Sequence, residues 1–198
     1  MKKIAVTGGI GSGKSSVIKR IAELGFPIFS CDEINKNLLQ DKVYIQQLGE
    51  IFPDVVENGA INKSVLRKIV FQDEEKRKLL NKIAHPIIME RLIEAMENSN
   101  AGITFAEVPL LYEENYEDLF DQIIVVYRDV EDRISSICKR DQISEGDAKL
   151  SIRVQFDYDS IENQVRLKKD NTWVICNNGS ISLLNDKVDA LLKEIGVC

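Results

Sequence analysis

The residues with the clearest chemistry lie near the N-terminus. Gly8-Gly9-Ile10-Gly11-Ser12-Gly13-Lys14-Ser15 keeps the spacing G-x-x-x-x-G-K-[ST]. Glycines at this spacing let the backbone curl until several N–H groups point at one centre, and a helix start adds positive potential there. Lys14 can then reach the β- and γ-phosphates of a nucleoside triphosphate, while the Ser15 hydroxyl ligates Mg²⁺. The spacing predicts a bound triphosphate and a metal ion. It is silent on what is done with them.

Other polar residues are ranked by position, because ligands of a parallel sheet gather beyond the carboxyl ends of its strands. Asp32 follows the second expected strand. It has two readings, a carboxylate that orients an acceptor hydroxyl or the N-cap of a helix starting at Glu33. Glu107 closes the third strand and suits either a Mg²⁺ contact through water or a structural pair with a lysine. Asn177 and Asn178 follow the last strand. Arg140 sits where a helix meets the polar turn Asp141–Ser144, a place from which a moving arginine can cover a triphosphate. Lys139 and Arg166 read as members of solvated helix faces. His85 is the only histidine and precedes Pro86. It reads as a packed residue at a helix bend, or as a base or substrate contact.

The elements that must position these residues follow from periodicity. Lys3–Val6 is a short apolar run of the kind buried in parallel sheets, and Lys14–Leu24 repeats Val17, Ile18, Ile21 and Leu24 at helical spacing before Gly25. Phe26–Phe29 reads as a second strand, making a β-α-β unit with a right-handed crossover. Between Glu33 and Asn98 the pattern is helical over Ile34–Leu39, Val43–Ile51, Lys63–Val70 and Glu74–Asn98, with Asn58-Gly59 as punctuation and Asn62 as an N-cap. Strands are expected at Ile103–Val108, Gln122–Tyr127 and Thr172–Cys176. Helices are expected over Val130–Arg140, over a long charged stretch from Glu145 to Lys169, and, capped by Ser180, through about Ile195. Alternating strands and helices give an α/β fold with a parallel sheet of about five strands.

Composition narrows the partners. The 198 residues carry a net charge of −6, which argues against nucleic acid, whose binding wants a basic face. No apolar run approaches the ~20 residues of a membrane span. The chain enters its first strand directly after Lys2 and Lys3, leaving no room for a signal peptide. Cys31, Cys138, Cys176 and Cys198 are scattered without C-x-x-C spacing, so reduced thiols in a cytoplasmic protein are expected rather than zinc or disulfides. Oligomeric state is not legible.

Several stretches together resemble the dephospho-coenzyme A kinase family. They are Val6–Ser15, Cys31-Asp32-Glu33-Ile34, Leu66-Arg67-Lys68-Ile69-Val70-Phe71, His85-Pro86-Ile87-Ile88, Val108-Pro109-Leu110-Leu111-Tyr112-Glu113, Lys139-Arg140-Asp141 and Asn177-Asn178-Gly179. The resemblance implies the P-loop nucleoside-triphosphate hydrolase fold. It also implies ATP-dependent phosphorylation of the ribose 3′-hydroxyl of dephospho-coenzyme A with Mg²⁺, giving coenzyme A and ADP. In that frame Gly11, Ser12, Gly13, Lys14, Ser15 and Ser16 cradle the ATP phosphates, and Asn177 lies near the adenine. Asp32 is the catalytic acid beside the acceptor hydroxyl, Arg140 is the lid arginine, and Arg67 and His85 belong to the coenzyme-binding part.

The implied organisation is one kinase domain: a core of about 1–30, 101–138 and 170–198, a helical coenzyme-binding part of about 31–100, and a lid of about 139–169. The alternative is another small-molecule or nucleotide kinase of the same fold. A GTPase is disfavoured, since neither Asn-Lys-x-Asp nor an Asp-x-x-Gly after the third strand occurs. Three departures stand out. Ser16 replaces the commoner threonine, and Ser136 stands where the family often has a second lid arginine, leaving Arg133 or Arg153 as substitutes. The stretch Phe156–Asn171 is longer than expected, with Phe156-Asp157-Tyr158-Asp159 suggesting an extended lid or an oligomer contact.

Overall fold

The computed structural model describes residues 1–197. Cys198 lies outside the described residues, as do the side chains at 70 and 71. In chain order the first elements are β1 (Lys2–Thr7), α1 (Lys14–Glu23), β2 (Ile28–Ser30), α2 (Cys31–Leu38) and α3 (Lys42–Ile51). Then come β3 (Val56–Glu57), β4 (Ala60–Ile61), α4 (Lys63–Gln72), α5 (Glu74–Asn98), β5 (Ile103–Glu107) and β6 (Gln122–Tyr127). The last are α6 (Val130–Asp141), α7 (Glu145–Arg153), α8 (Ile161–Leu167), β7 (Thr172–Cys176) and α9 (Ile181–Glu194). They divide into two compact units, one made of Met1–Phe29 with the residues from Ser99 onward, the other of Ser30–Asn98.

The first unit holds a five-stranded parallel sheet in the order β2-β5-β1-β6-β7. β1 is therefore central, with Ile4 opposite Phe105 on β5 and Ala5 opposite Ile123 on β6. Covered on both faces, these strands are buried in continuous runs, residues 4–7 of β1, 104–106 of β5 and 123–126 of β6, rather than alternating. Val17 and Ile21 of α1 stand one turn apart and are fully buried on the sheet, together with Val188 and Leu192 of α9. Each such side chain contributes roughly 1.5–3 kcal/mol through removal from water. Arg20 fastens the two helices with a two-pronged bond to Asp189, Nε to Oδ1 at 2.8 Å and Nη2 to Oδ2 at 2.6 Å. α6 and α7 form a further apolar cluster around Ile134, Ile137 and Ala148, against which Ile10 packs.

The second unit is helical, with its own core of Leu38, Tyr44, Leu48, Phe52, Val55 and Leu80 among others. Asp41 caps α3 by accepting from the N–H groups of Val43 and Tyr44, and Asn62 caps α4 in the same way from Ser64 and Val65. α5 runs unbroken through Pro86, whose ring nitrogen gives nothing to the helix ladder.

β1 and β2 belong to the same parallel sheet, as expected, with β5 between them. One expectation is extended and two are corrected. Asn58-Gly59 does more than punctuate: both residues have positive φ, 52° and 74°, which makes the two-residue turn that joins β3 to β4 as a hairpin. The helix after β2 begins at Cys31, and its cap is Ser30, whose hydroxyl accepts the Asp32 N–H at 3.2 Å. Asp32 is therefore not the N-cap. The long helix from Glu145 to Lys169 is two helices, α7 and α8, separated by residues 154–160. Aromatic packing wins over helical pattern there: Phe156 stacks on Tyr112 with centroids 4.7 Å apart, and Tyr158 is buried.

Candidate active site

The turn after β1 has the conformation that its glycines allow. Gly11 and Gly13 sit at φ +77° and +95°, in the left-handed region that a side chain disfavours. The carbonyl oxygens of the loop are almost all engaged. Lys14 Nζ donates to Gly8 O at 2.7 Å and to Gly9 O at 3.2 Å. Arg133 Nε holds Ile10 O at 2.9 Å, and Asn177 Nδ2 holds Ser12 O at 2.8 Å. Gly13 O accepts from Ser16 and Val17 in the first turn of α1.

The nitrogen side is different. Ser12 N–H returns to Gly9 O and Ile10 N–H goes to Gln155 Oε1. The N–H groups of Gly11, Gly13, Lys14 and Ser15 have no acceptor among the described residues. Four donors in one turn, at the positive end of α1, make a site for an oxyanion.

Charge around Lys14 is mixed. Burial lowers its pKa below the ordinary 10.5, Glu107 and Glu113 raise it, and Arg133 and Arg140 lower it. Two carboxylates and two guanidinium groups thus act on the same ammonium. Glu113 is tied through Oε1 to the Phe156 N–H at 2.9 Å, while its buried Oε2 has no hydrogen-bond partner among the described residues. Ser15 is exposed, leaving its hydroxyl accessible beside the open N–H groups. Arg140 is exposed and grips its neighbour Asp141 through Nε and Nη2, both at 2.7 Å. That pairing raises the pKa of Arg140 and lowers that of Asp141.

The first unit therefore gathers the loop from Gly11 to Ser16 with Glu107, Arg140 and Asn177. Asn177 touches the loop itself through Ser12 O, and a Cβ on Gly13 would run into its amide. Asp32, Arg67 and His85 belong to the second unit. Asp32 is exposed in the first turn of α2, Arg67 is exposed on α4, and His85 is half-buried in α5. Of the two arginines considered beside Ser136, Arg133 is buried against Ile10 and Arg153 is exposed. Ser136 itself accepts from Arg128 at 2.8 Å.

Arg166 departs from its expected role on a solvated face. Its guanidinium lies over the rings of Tyr112 and Phe156 at 5.1 and 5.3 Å. It also donates from Nε to buried Glu117 at 2.7 Å. Sequence reasoning passed over Glu113, Gln155 and the loop-holding part of Arg133. Glu113 stood within a quoted motif, but a glutamine has no spacing rule to mark it.

A family model described as dephospho-CoA kinase matches residues 2–182. The chain is 34% identical over 194 residues to a dephospho-CoA kinase of Fusobacterium nucleatum, covering 97% of each. Among solved structures it is similar to a crystal structure from Thermus thermophilus, with a TM-score of 0.77, 30% identity, and 98% and 97% of the two chains covered. A dephospho-CoA kinase from Campylobacter jejuni gives a TM-score of 0.69 at 29% identity, with 98% of each chain covered. With a central parallel sheet, a phosphate loop after its middle strand and relatives matched along nearly the whole length, this chain belongs to the dephospho-CoA kinase family.

Proposed function

We propose that the protein transfers the γ-phosphoryl group of ATP to the ribose 3′-hydroxyl of dephospho-coenzyme A, releasing coenzyme A and ADP. The observation that carries the donor half is the set of four open N–H groups at Gly11, Gly13, Lys14 and Ser15. Family membership carries the acceptor half. On this reading ATP phosphate oxygens take the place of the Gly8 and Gly9 carbonyls as acceptors for Lys14 Nζ. Ser16 adds its hydroxyl at the next helical position, and Asn177 serves the nucleotide by holding Ser12.

Phosphoryl transfer asks for positioning and charge stabilisation more than covalent chemistry. Arg140, released from Asp141, covers the transferring group and offsets its charge. Asp32 accepts a hydrogen bond from the acceptor hydroxyl and aims it in line, with general-base help worth about 10²–10⁴-fold. Arg67 and His85 contribute to binding the coenzyme. The oxygen donors beside Lys14 fit Mg²⁺, a hard cation that takes oxygen ligands: Ser15 would hold it directly and Glu107 through water. When bound, Mg²⁺ neutralises charge on the β- and γ-phosphate oxygens.

The acidic net charge supports a small-molecule partner rather than nucleic acid. No helix among the described residues is long and apolar enough to cross a membrane, and Cys31, Cys138 and Cys176 form no disulfide among the described residues. These features support a cytoplasmic location. The test is ADP release with dephospho-coenzyme A, adenosine and nucleoside monophosphates offered in competition. Dephospho-coenzyme A should dominate, and equal or better turnover of a monophosphate would move the protein to the alternative kinase reading.

A further inference from the structure

Residues 155–159 hold the loop and its surroundings one after another. Gln155 Oε1 accepts the Ile10 N–H at 2.7 Å, and Phe156 N–H donates to Glu113. Tyr158 is buried, its ring edge-on to Tyr112 at 6.1 Å. Asp159 Oδ1 accepts from the Tyr127 hydroxyl at the end of β6, at 2.7 Å. The strap is itself fixed. Phe156 stacks on Tyr112 and meets Tyr158 edge-on at 5.0 Å, and Arg166 covers the stack. Neither a loose lid nor an oligomer contact is needed to account for its aromatic residues.

Ile10 is where this matters. Its N–H is held by Gln155 and its C=O by Arg133, so both peptide planes that flank it are constrained. The next residue, Gly11, supplies the first of the open N–H groups. A cradle whose donors are aimed before the ligand arrives spends less of its binding free energy on ordering. Because Ile10 offers a donor, only the oxygen of the Gln155 amide can serve.

We propose that Gln155 is a positioning residue for nucleotide binding: its amide oxygen fixes the Ile10 peptide so that the N–H groups from Gly11 onward face the triphosphate. This rests on the reading of the loop as the ATP site. It involves neither the acceptor nor the transferred group. Loss of one such bond to a loop that must then order itself predicts about a 3- to 10-fold weaker nucleotide.

The experiment uses the full chain and a non-hydrolysable ATP analogue, titrated calorimetrically without acceptor. Wild type is compared with Gln155→Met, which keeps length but loses the acceptor, and with Gln155→Asn, which keeps the amide but shortens its reach. Phe156→Leu loosens the strap while leaving Gln155 in place. Both Gln155 variants should bind the analogue 3- to 10-fold more weakly and raise KM for ATP in proportion. KM for dephospho-coenzyme A and kcat at saturation should stay within about twofold. Phe156→Leu should lower Tm more than either and weaken the analogue less than twofold. Unchanged affinity in the Gln155 variants, or losses that simply follow Tm across all three, overturns the proposal. Failure of the wild type to bind the analogue would instead overturn the ATP-site reading.

Discussion

Gly9 offers a test of the loop's support that needs no catalysis. Its φ lies outside the left-handed region, so alanine there carries no backbone strain. The obstacle is Arg133. A Cβ on Gly9 would stand 2.6 Å from Arg133 Cζ and 3.1 Å from Nη1, with Nη2 closer still. The guanidinium has little room to retreat, since Arg133 is only 4% exposed and its Nε holds the Ile10 carbonyl. Crowding a packed site costs about 1–3 kcal/mol, and loss of a charged donor adds about 1.5–3 kcal/mol. Gly9→Ala should therefore destabilise by about 2.5–6 kcal/mol.

The decisive form is a double-mutant cycle read by urea unfolding. Arg133→Ala alone loses the Ile10 bond, but once the guanidinium is gone the alanine at position 9 has nothing to strike. The double variant should be about as stable as Arg133→Ala, so the interaction should equal the whole cost of Gly9→Ala, with opposite sign. Gly13 provides the contrast. A Cβ there meets the Asn177 amide, but φ is +95°. Removing Asn177 should relieve the clash and leave a residual cost of about 1–2 kcal/mol from the left-handed backbone. Additivity within about 0.5 kcal/mol at Gly9 and Arg133 would refute the account of how the loop is held.

Three further outcomes follow from the same geometry. Burial holds the Lys14 pKa below 10.5, so the empty loop loses this charge earlier on the alkaline side than a surface lysine would. Bound phosphates favour the charged form, so ATP affinity should fall as pH rises through the lowered value, with proton uptake on binding. Titration in buffers of different ionisation enthalpy reads that uptake, and Lys14→Met should abolish turnover and erase the alkaline limb; a limb that survives contradicts the assignment. Asp32→Asn should lower kcat by about 10²-fold with little change in ATP affinity, and an unchanged kcat removes Asp32 from the chemistry. Arg140→Ala should lower kcat more than it raises KM for ATP; a pure KM effect would make it a ground-state contact.

How much of this was legible depended on whether a residue's work is local. The loop, the caps at Asn62 and Ser180, and the strand at Gln122–Tyr127 are set by near neighbours, and each lies where its spacing put it. Asp32 misled as a cap because Ser30, two residues earlier, is the better one, and the helix starts sooner. Arg166 and Phe156 misled for the opposite reason. Their helical context is local, but their partners Tyr112 and Glu117 are some fifty residues away, and tertiary packing overrode a charged pattern that read as one long solvated helix. Asn177 was found by its place after the last strand, yet its hold on Ser12 could not be read from that place.

The phosphate loop shows the same division within a few residues. Its N–H groups attract an anion, but its carbonyls carry the opposite partial charge and would weaken the site if they turned inward. Something must engage them, and beyond its own backbone N–H groups the loop supplies only one side chain for this, Lys14. The other holders are Arg133 and Asn177, 123 and 165 residues from the atoms they bind, joined by Gln155 on the Ile10 N–H at a separation of 145. Sheet order makes this feasible: β6 and β7 follow β1 on one side, so the segments leaving their carboxyl ends bring Arg133 and Asn177 to the loop. Lys14 alone among the carbonyl holders can exchange its partners for phosphate oxygens without unfastening the loop. A free loop that already satisfies its oxygens and leaves its nitrogens open needs only that exchange to receive a triphosphate.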